Sequence, residues 1–193
     1  MNPYEEALYH SMDEVAAQLK VTENPRHRAI LELYRKHVHL EGSGQFDKIV
    51  APEMMGDHPH YRIYWGQTFE VDGKDEILNF YNSIGEAVLW NTDEKIAVAD
   101  WGFAAELTLH QLAPGRELKM LLVDVDSDDD YYHLQSRQAF FWPYDDQQRL
   151  VGEYIYEDPN TRTVEKVAKS ELISSQRAAE IHRELLGRLP SAA

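Results

Sequence analysis

The feature that most limits the fold is a change of hydrophobic period near residue 86. Ahead of it, Ile30, Leu33, Tyr34, His37 and Val38 follow the i, i+3, i+4, i+7, i+8 spacing of one helix face. Beyond it, Phe103, Ala105, Leu107 and Leu109 recur every second residue, as in a half-buried strand. Helices first and strands later, with no helix between successive strands, predict an α+β domain with an antiparallel sheet.

Finer signals place the elements. Asn2-Pro3 reads as an N-cap and first-turn proline. The helix it opens carries Leu8, Met12, Val15, Ala16 and Leu19 on one face and breaks at 22–25. A second helix begins near Pro25 and stops at Glu41-Gly42-Ser43-Gly44. Residues 46–50 form a short amphipathic turn, and 54–71 irregular strands interrupted by Pro59 and Gly66. Gly73-Lys74 opens a short helix with Ile77, Phe80, Tyr81 and Ile84 inward. Strands are expected over 86–92, 95–101, 103–112, 118–125, 131–142 and 149–157, and helical spacing returns over 162–188. A long curved sheet folded over helices makes a cone, whose mouth is a natural apolar pocket.

Composition narrows the function. The 193 residues suit one domain. Thirty-four acidic against 19 basic residues give −15, which argues against nucleic-acid and polybasic membrane partners. Six basic and four acidic residues make 162–193 net +2, leaving −17 on the first 161. With no Cys there is no disulfide, thiol nucleophile or Cys-ligated metal. No run approaches 18 apolar residues, and the acidic N-terminus is not a signal peptide, so a soluble cytoplasmic protein is expected. The Asp-rich stretch 124–130 starts like a calcium loop, but Asp129 and Gln135 stand where that loop needs Gly and Glu. It reads as a solvated hairpin tip.

Four stretches carry a family resemblance. A helix ends in glycines before Phe46-Asp-Lys-Ile-Val50, and an aromatic-rich strand holds Asp57-His58-Pro59. Gly73-Lys-Asp-Glu-Ile-Leu-Asn-Phe-Tyr81 and Gln148-Arg-Leu-Val-Gly-Glu-Tyr-Ile-Tyr-Glu-Asp158 follow in order. Together these resemble the NTF2-like superfamily, in its SnoaL-like and ketosteroid-isomerase-like branch. The resemblance covers 26–158, so 1–24 and 160–189 read as added helices on one 1–193 domain. It implies a cone of helices in a strongly curved antiparallel sheet, and a homodimer through that sheet. The superfamily holds isomerases, dehydratases, cyclases and epoxide hydrolases, and also non-catalytic transport factors and structural oxygenase subunits, so fold leaves function open.

In that branch a carboxylate just before a proline serves as proton-transfer base. The matching position here is His58, with Asp57 one residue earlier. Histidine suits the work because it both takes and gives protons near neutrality. The branch's oxyanion-binding phenol on the first core helix corresponds to His37, or to Tyr34 one turn before it. Its buried acid on a late strand has no match in Gln138-Ala-Phe-Phe-Trp142, which argues against ketosteroid isomerisation itself; His133 is a substitute donor. Each of these residues also has a plain structural reading, as a loop former or a satisfied core group. His58 and His60 make a His-x-His pair, interrupted by Pro59, and neither a metal nor a cofactor is expected.

Aromatic strand residues, among them Trp65, Trp101, Phe141 and Tyr154, point to a flat or bulky apolar or aromatic ligand. One reading is a cofactor-independent isomerase, dehydratase or cyclase. The other is a non-catalytic binding or interaction domain, including an oxygenase-type structural subunit. An open cavity holding His58 and a second titrating group would favour the enzyme; a cone packed with bulky residues would favour binding or structure.

Overall fold

The structure, a computed structural model, describes residues 2–190; the expected 1–193 domain extends past both limits. Three helices open it: α1 (Pro3–His10), α2 (Asp13–Val21) and α3 (Pro25–Gly42), followed by the single turn α4 (Phe46–Ile49). Asn2 and Asn24 cap α1 and α3, each ahead of a first-turn proline, and Asn24 Oδ1 accepts from the amides of Arg26 and His27. The expected single N-terminal helix is two. The Ser11 hydroxyl donates to the Leu8 carbonyl, and this local bond competes with the helical ladder.

Strands β1 (Met55–Trp65) and β2 (Gln67–Asp72) form a hairpin at Gly66, whose φ of 67° suits glycine. After α5 (Lys74–Ser83) come β3 (Val88–Ala99), β4 (Gly102–Pro114), α6 (Gly115–Met120), β5 (Tyr131–Pro143), β6 (Leu150–Lys166) and α7 (Ser175–Gly187). The six strands make one curved, unclosed sheet ordered β2-β1-β6-β5-β4-β3. Among the described residues no helix is long and apolar enough to cross a membrane.

Four details differ from the sequence reading. The sheet is not wholly antiparallel: β1 runs parallel to β6, with Tyr61 opposite Glu153. The stretch expected as a strand at 118–125 is instead α6 and a loop, because Pro114 leads into a helical turn that buries Leu118. The expected strands at 86–92 and 95–101 are one, β3, with a register shift between Thr92 and Lys95. Strand β6 continues past Pro159 to Lys166, and α7 starts only at Ser175. Asp158 accepts from the Asn160 amide in a turn-like bulge that interrupts the alternation without ending the strand.

The inner face of the sheet packs on α2, α3, α4 and α5. The main core joins Met12, Val15, Leu19, Tyr34, Tyr61, Tyr81, Phe103 and Trp142. The helices α1 and α7 pair with each other and cover Val88, Trp90 and Leu112. Helix α7 seats through Ala178 and Ile181 and an Arg177–Glu5 pair at 2.8 Å, so apolar packing outweighs charge in its docking. It also approaches α3 closely: a Cβ on Gly42 would stand 2.5 Å from the His182 ring.

Candidate active site in the cone

Helical spacing on α3 turns Tyr34, His37 and Glu41 toward the sheet. His37 Nε2 lies 2.9 Å from the Tyr81 hydroxyl, which also meets the Tyr61 hydroxyl at 3.1 Å. Tyr81 donates to Glu153 Oε2 at 3.3 Å. The Tyr81 oxygen thus has three partners, Glu153, Tyr61 and His37. Glu41 stands 3.7 Å from the same nitrogen. Five groups from α3, α5, β1 and β6 thus form one row. The parallel pairing of β1 with β6 creates it by setting Tyr61 beside Glu153.

The surroundings are dry and aromatic. Trp142 lies edge-on to both Tyr34 and His37, with centroids at 5.1 and 4.7 Å, and Phe46 stacks on Tyr81. Burial, then the charge of Glu41, pushes the Glu153 carboxyl well above the usual carboxylate range; the hydrogen bonds of Tyr61 and Tyr81 pull the other way. Burial pushes Glu41 up to about 7 and His37 down to about 3, so His37 is neutral at neutral pH. The phenols of Tyr34, Tyr61 and Tyr81 rise well above their ordinary value, chiefly by burial.

A second polar group lies toward β3. Tyr34 donates to Glu94 Oε1 at 2.9 Å, and Asn91 Nδ2 donates to the Tyr34 oxygen at 3.3 Å. Glu94 turns inward at the β3 bulge, beside Asp93 with its φ of 54°. Burial pushes its carboxyl up to about 7, against the pull of the Tyr34 hydrogen bond, and Glu14 of α2 adds a smaller push. Glu94 Oε2 and Trp142 Nε1 are buried without a partner.

Of the residues the sequence nominated, Tyr34 and His37 lie in this interior, and Trp65 packs at its edge with its indole nitrogen buried and unpaired. The others lie apart from it. His58 and Asp57 are exposed, and Asp57 faces Arg149 at 3.6 Å. The proline motif located His58 along the chain but not on a face. Phe141 is 40% exposed because strand alternation sends Phe140 and Trp142 inward. Tyr154 lies outward between Glu153 and Ile155, under the Arg62 guanidinium at 5.0 Å, and Trp101 is 47% exposed at the β3–β4 turn. His133 is also on the outer face, where it meets His110 Nδ1 at 2.9 Å, and His110 Nε2 meets Thr92 Oγ1 at 2.8 Å. Trp90 stacks on both rings.

Sequence reasoning passed over Glu41, Glu94 and Glu153. Two were signalled: Glu41 is four residues after His37, and Glu153 shares the strand parity of Ile155. The bulge hides Glu94. Among the described residues no three His, Asp or Glu side chains gather as a metal site. Among the described residues, Tyr34, Tyr61, Tyr81, Phe103 and Trp142 pack together inside the cone. Hollows of about 350 Å³, beside Thr92, His110 and Arg137, and about 400 Å³, beside Tyr64, Gln67 and Arg162, both lie outside it.

No protein-family model and no curated relative matches the sequence. Solved structures match the fold. A Δ5-3-ketosteroid isomerase from Mycobacterium sp. aligns over 71% of this chain and 98% of its own, at 18% identity and TM-score 0.54. A candidate SnoaL-like polyketide cyclase from Shewanella putrefaciens covers 76% of this chain and 89% of its own, at 13% identity and TM-score 0.51. A computationally designed 17-OHP binder aligns over 71% and 96%, at 10% identity and TM-score 0.50. The chain therefore has the NTF2-like fold, in the form shared by ketosteroid isomerase and SnoaL-like structures.

Proposed function

We propose that the chain is a cofactor-independent proton-transfer enzyme acting on a small apolar or aromatic molecule that carries an oxygen, by isomerisation, dehydration or cyclisation. The row from His37 through Tyr81 to Glu153, flanked by Tyr61 and Glu41, carries this reading. A carboxylic acid kept neutral by an apolar site can donate a hydrogen bond to a developing oxyanion. Glu153 has that environment, on the strand after the one where the sequence search looked for an acid. Glu41, with its carboxyl near 7, suits the taking and returning of a proton at neutral pH. His37 is held too acidic to serve as base and orients Tyr81 instead. Tyr34 and Trp65 would touch the substrate, and His58 takes no part. The outer sheet face, with Tyr156 and Phe141 exposed, would form the homodimer contact.

A packed cone supports a second reading, a binding domain without chemistry, and the designed binder has the same fold. Deuterium exchange separates the two. Incubating a panel of apolar cyclic ketones in D₂O should show enzyme-accelerated exchange beside the carbonyl for at least one of them. Glu153→Gln should slow that exchange about 10²-fold or more, while His58→Ala leaves it unchanged. Ketones that bind but exchange at the uncatalysed rate would leave the binding domain standing.

A further inference from the structure

The cone is closed by a helix that belongs to the N-terminal addition, not to the part that resembles a family. Helix α2 puts Met12, Val15 and Leu19 into the same core as Tyr34, Phe103 and Trp142, while Asp13, Glu14 and Lys20 face solvent. Its inner edge lies toward β3, on the side where Glu94 holds one carboxyl oxygen on Tyr34 and leaves the other buried and unpaired. An unsatisfied buried carboxyl oxygen is costly, and a packed core offers easy ways to avoid one. A group that keeps such an oxygen beneath a removable cover is suited to meet a polar group that arrives later.

The cover is built to move. Nine residues are too few for a helix to stand without tertiary support. No side chain caps its start, the chain breaks at Ser11 and Met12 just before it, and 22–24 form a coil just after it. Its polar ties lie at its two ends. Arg28 Nη1 donates to the carbonyls of Leu19 and Thr22 at 2.6 and 3.1 Å, and an exposed His10–Asp13 pair spans 2.7 Å. Between them, among the described residues, the apolar side chains of Val15 and Leu19 hold it down.

We propose that the edge formed by Met12 and the α2 residues Val15 and Leu19 occupies a cryptic ligand site, whose incoming occupant is a small molecule with an apolar body and one hydroxyl group to pair with Glu94 Oε2. Lifting α2 opens the α3 and β3 side of the core it shares with Tyr34, Phe103 and Trp142, which would wall the apolar body, with Glu94 and Asn91 as the polar end. Binding selects the lifted state, which makes α2 both gate and competitor. This deepens the proposed function by naming the ligand class and the gate, and rests on that reading only for the statement that the bound molecule then reacts.

The probe is 2-naphthol, an aromatic body with one O–H, set against 2-methylnaphthalene, which has none. Val15→Ala removes apolar contact from the cover without touching the polar groups below. It should bind 2-naphthol at least tenfold tighter than the unaltered chain, and at least fivefold tighter than it binds 2-methylnaphthalene. That preference should vanish in Val15→Ala/Glu94→Leu. Leu19→Ala, at the edge of the core, repeats the test should Val15→Ala fail to fold. In the unaltered chain, saturating 2-naphthol should speed amide exchange over 13–21 while leaving 26–40 unchanged. Equal affinities in the folded variant and the unaltered chain, no preference for the hydroxyl, or unchanged exchange over 13–21 would each overturn the site. Loss of ketone exchange in Glu153→Gln does not depend on any of these results, so the gate and the chemistry fail separately.

Discussion

The two faces of one sheet carry the same residue types to opposite ends. On the inner face, His37, Glu153 and Glu94 meet aromatic walls, lose water and bond to phenols, with Glu41 half-buried beside His37. On the outer face, His60 pairs with an exposed Asp72 at 2.7 Å, Asp57 faces Arg149, and Phe141 and Tyr156 pack edge-on in the open. A histidine or carboxylate is chemically useful only where burial and neighbours move its proton affinity, and strand parity decides which of them reach such a place.

The sharpest break of that comparison uses adjacent residues. Trp142→Ala should cost about 3–5 kcal/mol in urea unfolding, since Trp142 is 2% exposed and touches Tyr34, His37 and Phe103. Phe141→Ala, one residue away on the outer face, should cost below about 1 kcal/mol. Comparable losses would mean that the two faces are not distinct.

A smaller effect tests the inner carboxyls. Glu94 rises from 4.5 to about 7 on folding. Below pH 4.5 it is protonated in both states and its full contribution is present; between 4.5 and 7 the unfolded chain releases the proton and the folded chain keeps it. Stability from this group therefore falls as pH rises through that window. Glu94→Gln, which cannot ionise, should gain on the unaltered chain by on the order of 2 kcal/mol between pH 4.5 and 8. His37 acts with the opposite sign, its contribution present above 6.5 and lost as pH falls toward 3. It cancels in the difference between the two chains at each pH. A pH-independent difference would place Glu94 in contact with water.

At the α3–α7 seam, Gly42→Ala should cost about 1–3 kcal/mol by pushing a Cβ against His182, read as a lower Tm. His58→Ala closes the series, with a change within about 0.5 kcal/mol and unaltered ketone exchange, because His58 is an exposed residue.

Much of the fold was legible. The period change separates helices from strands, Asn2-Pro3 starts α1, and Gly66 turns β1 into β2. What escaped lies where tertiary contacts override local pattern. The parallel β1–β6 pairing joins ends of the chain that no turn connects. The bulge at Asp158 and Asn160 resembles a strand end. The site was half legible for the same reason. Tyr34 and His37 follow from helical spacing, and Glu41 follows from extending it by one turn. Glu94 faces inward only because β3 gains a residue at Asp93, which reverses the expected parity. His58 shows the converse: a motif match fixes a position along the chain, and the register irregularity between Met55 and His60 decides where it faces.

The cone raises its buried carboxyls well above the ordinary carboxylate range. Carbon-13 NMR of protein labelled at the glutamate carboxyl, with resonances assigned through Glu153→Gln and Glu94→Gln, measures this directly. A Glu94 resonance should titrate near 7 and a Glu153 resonance well above the ordinary carboxylate range. Both resonances titrating in the ordinary carboxylate range would contradict it.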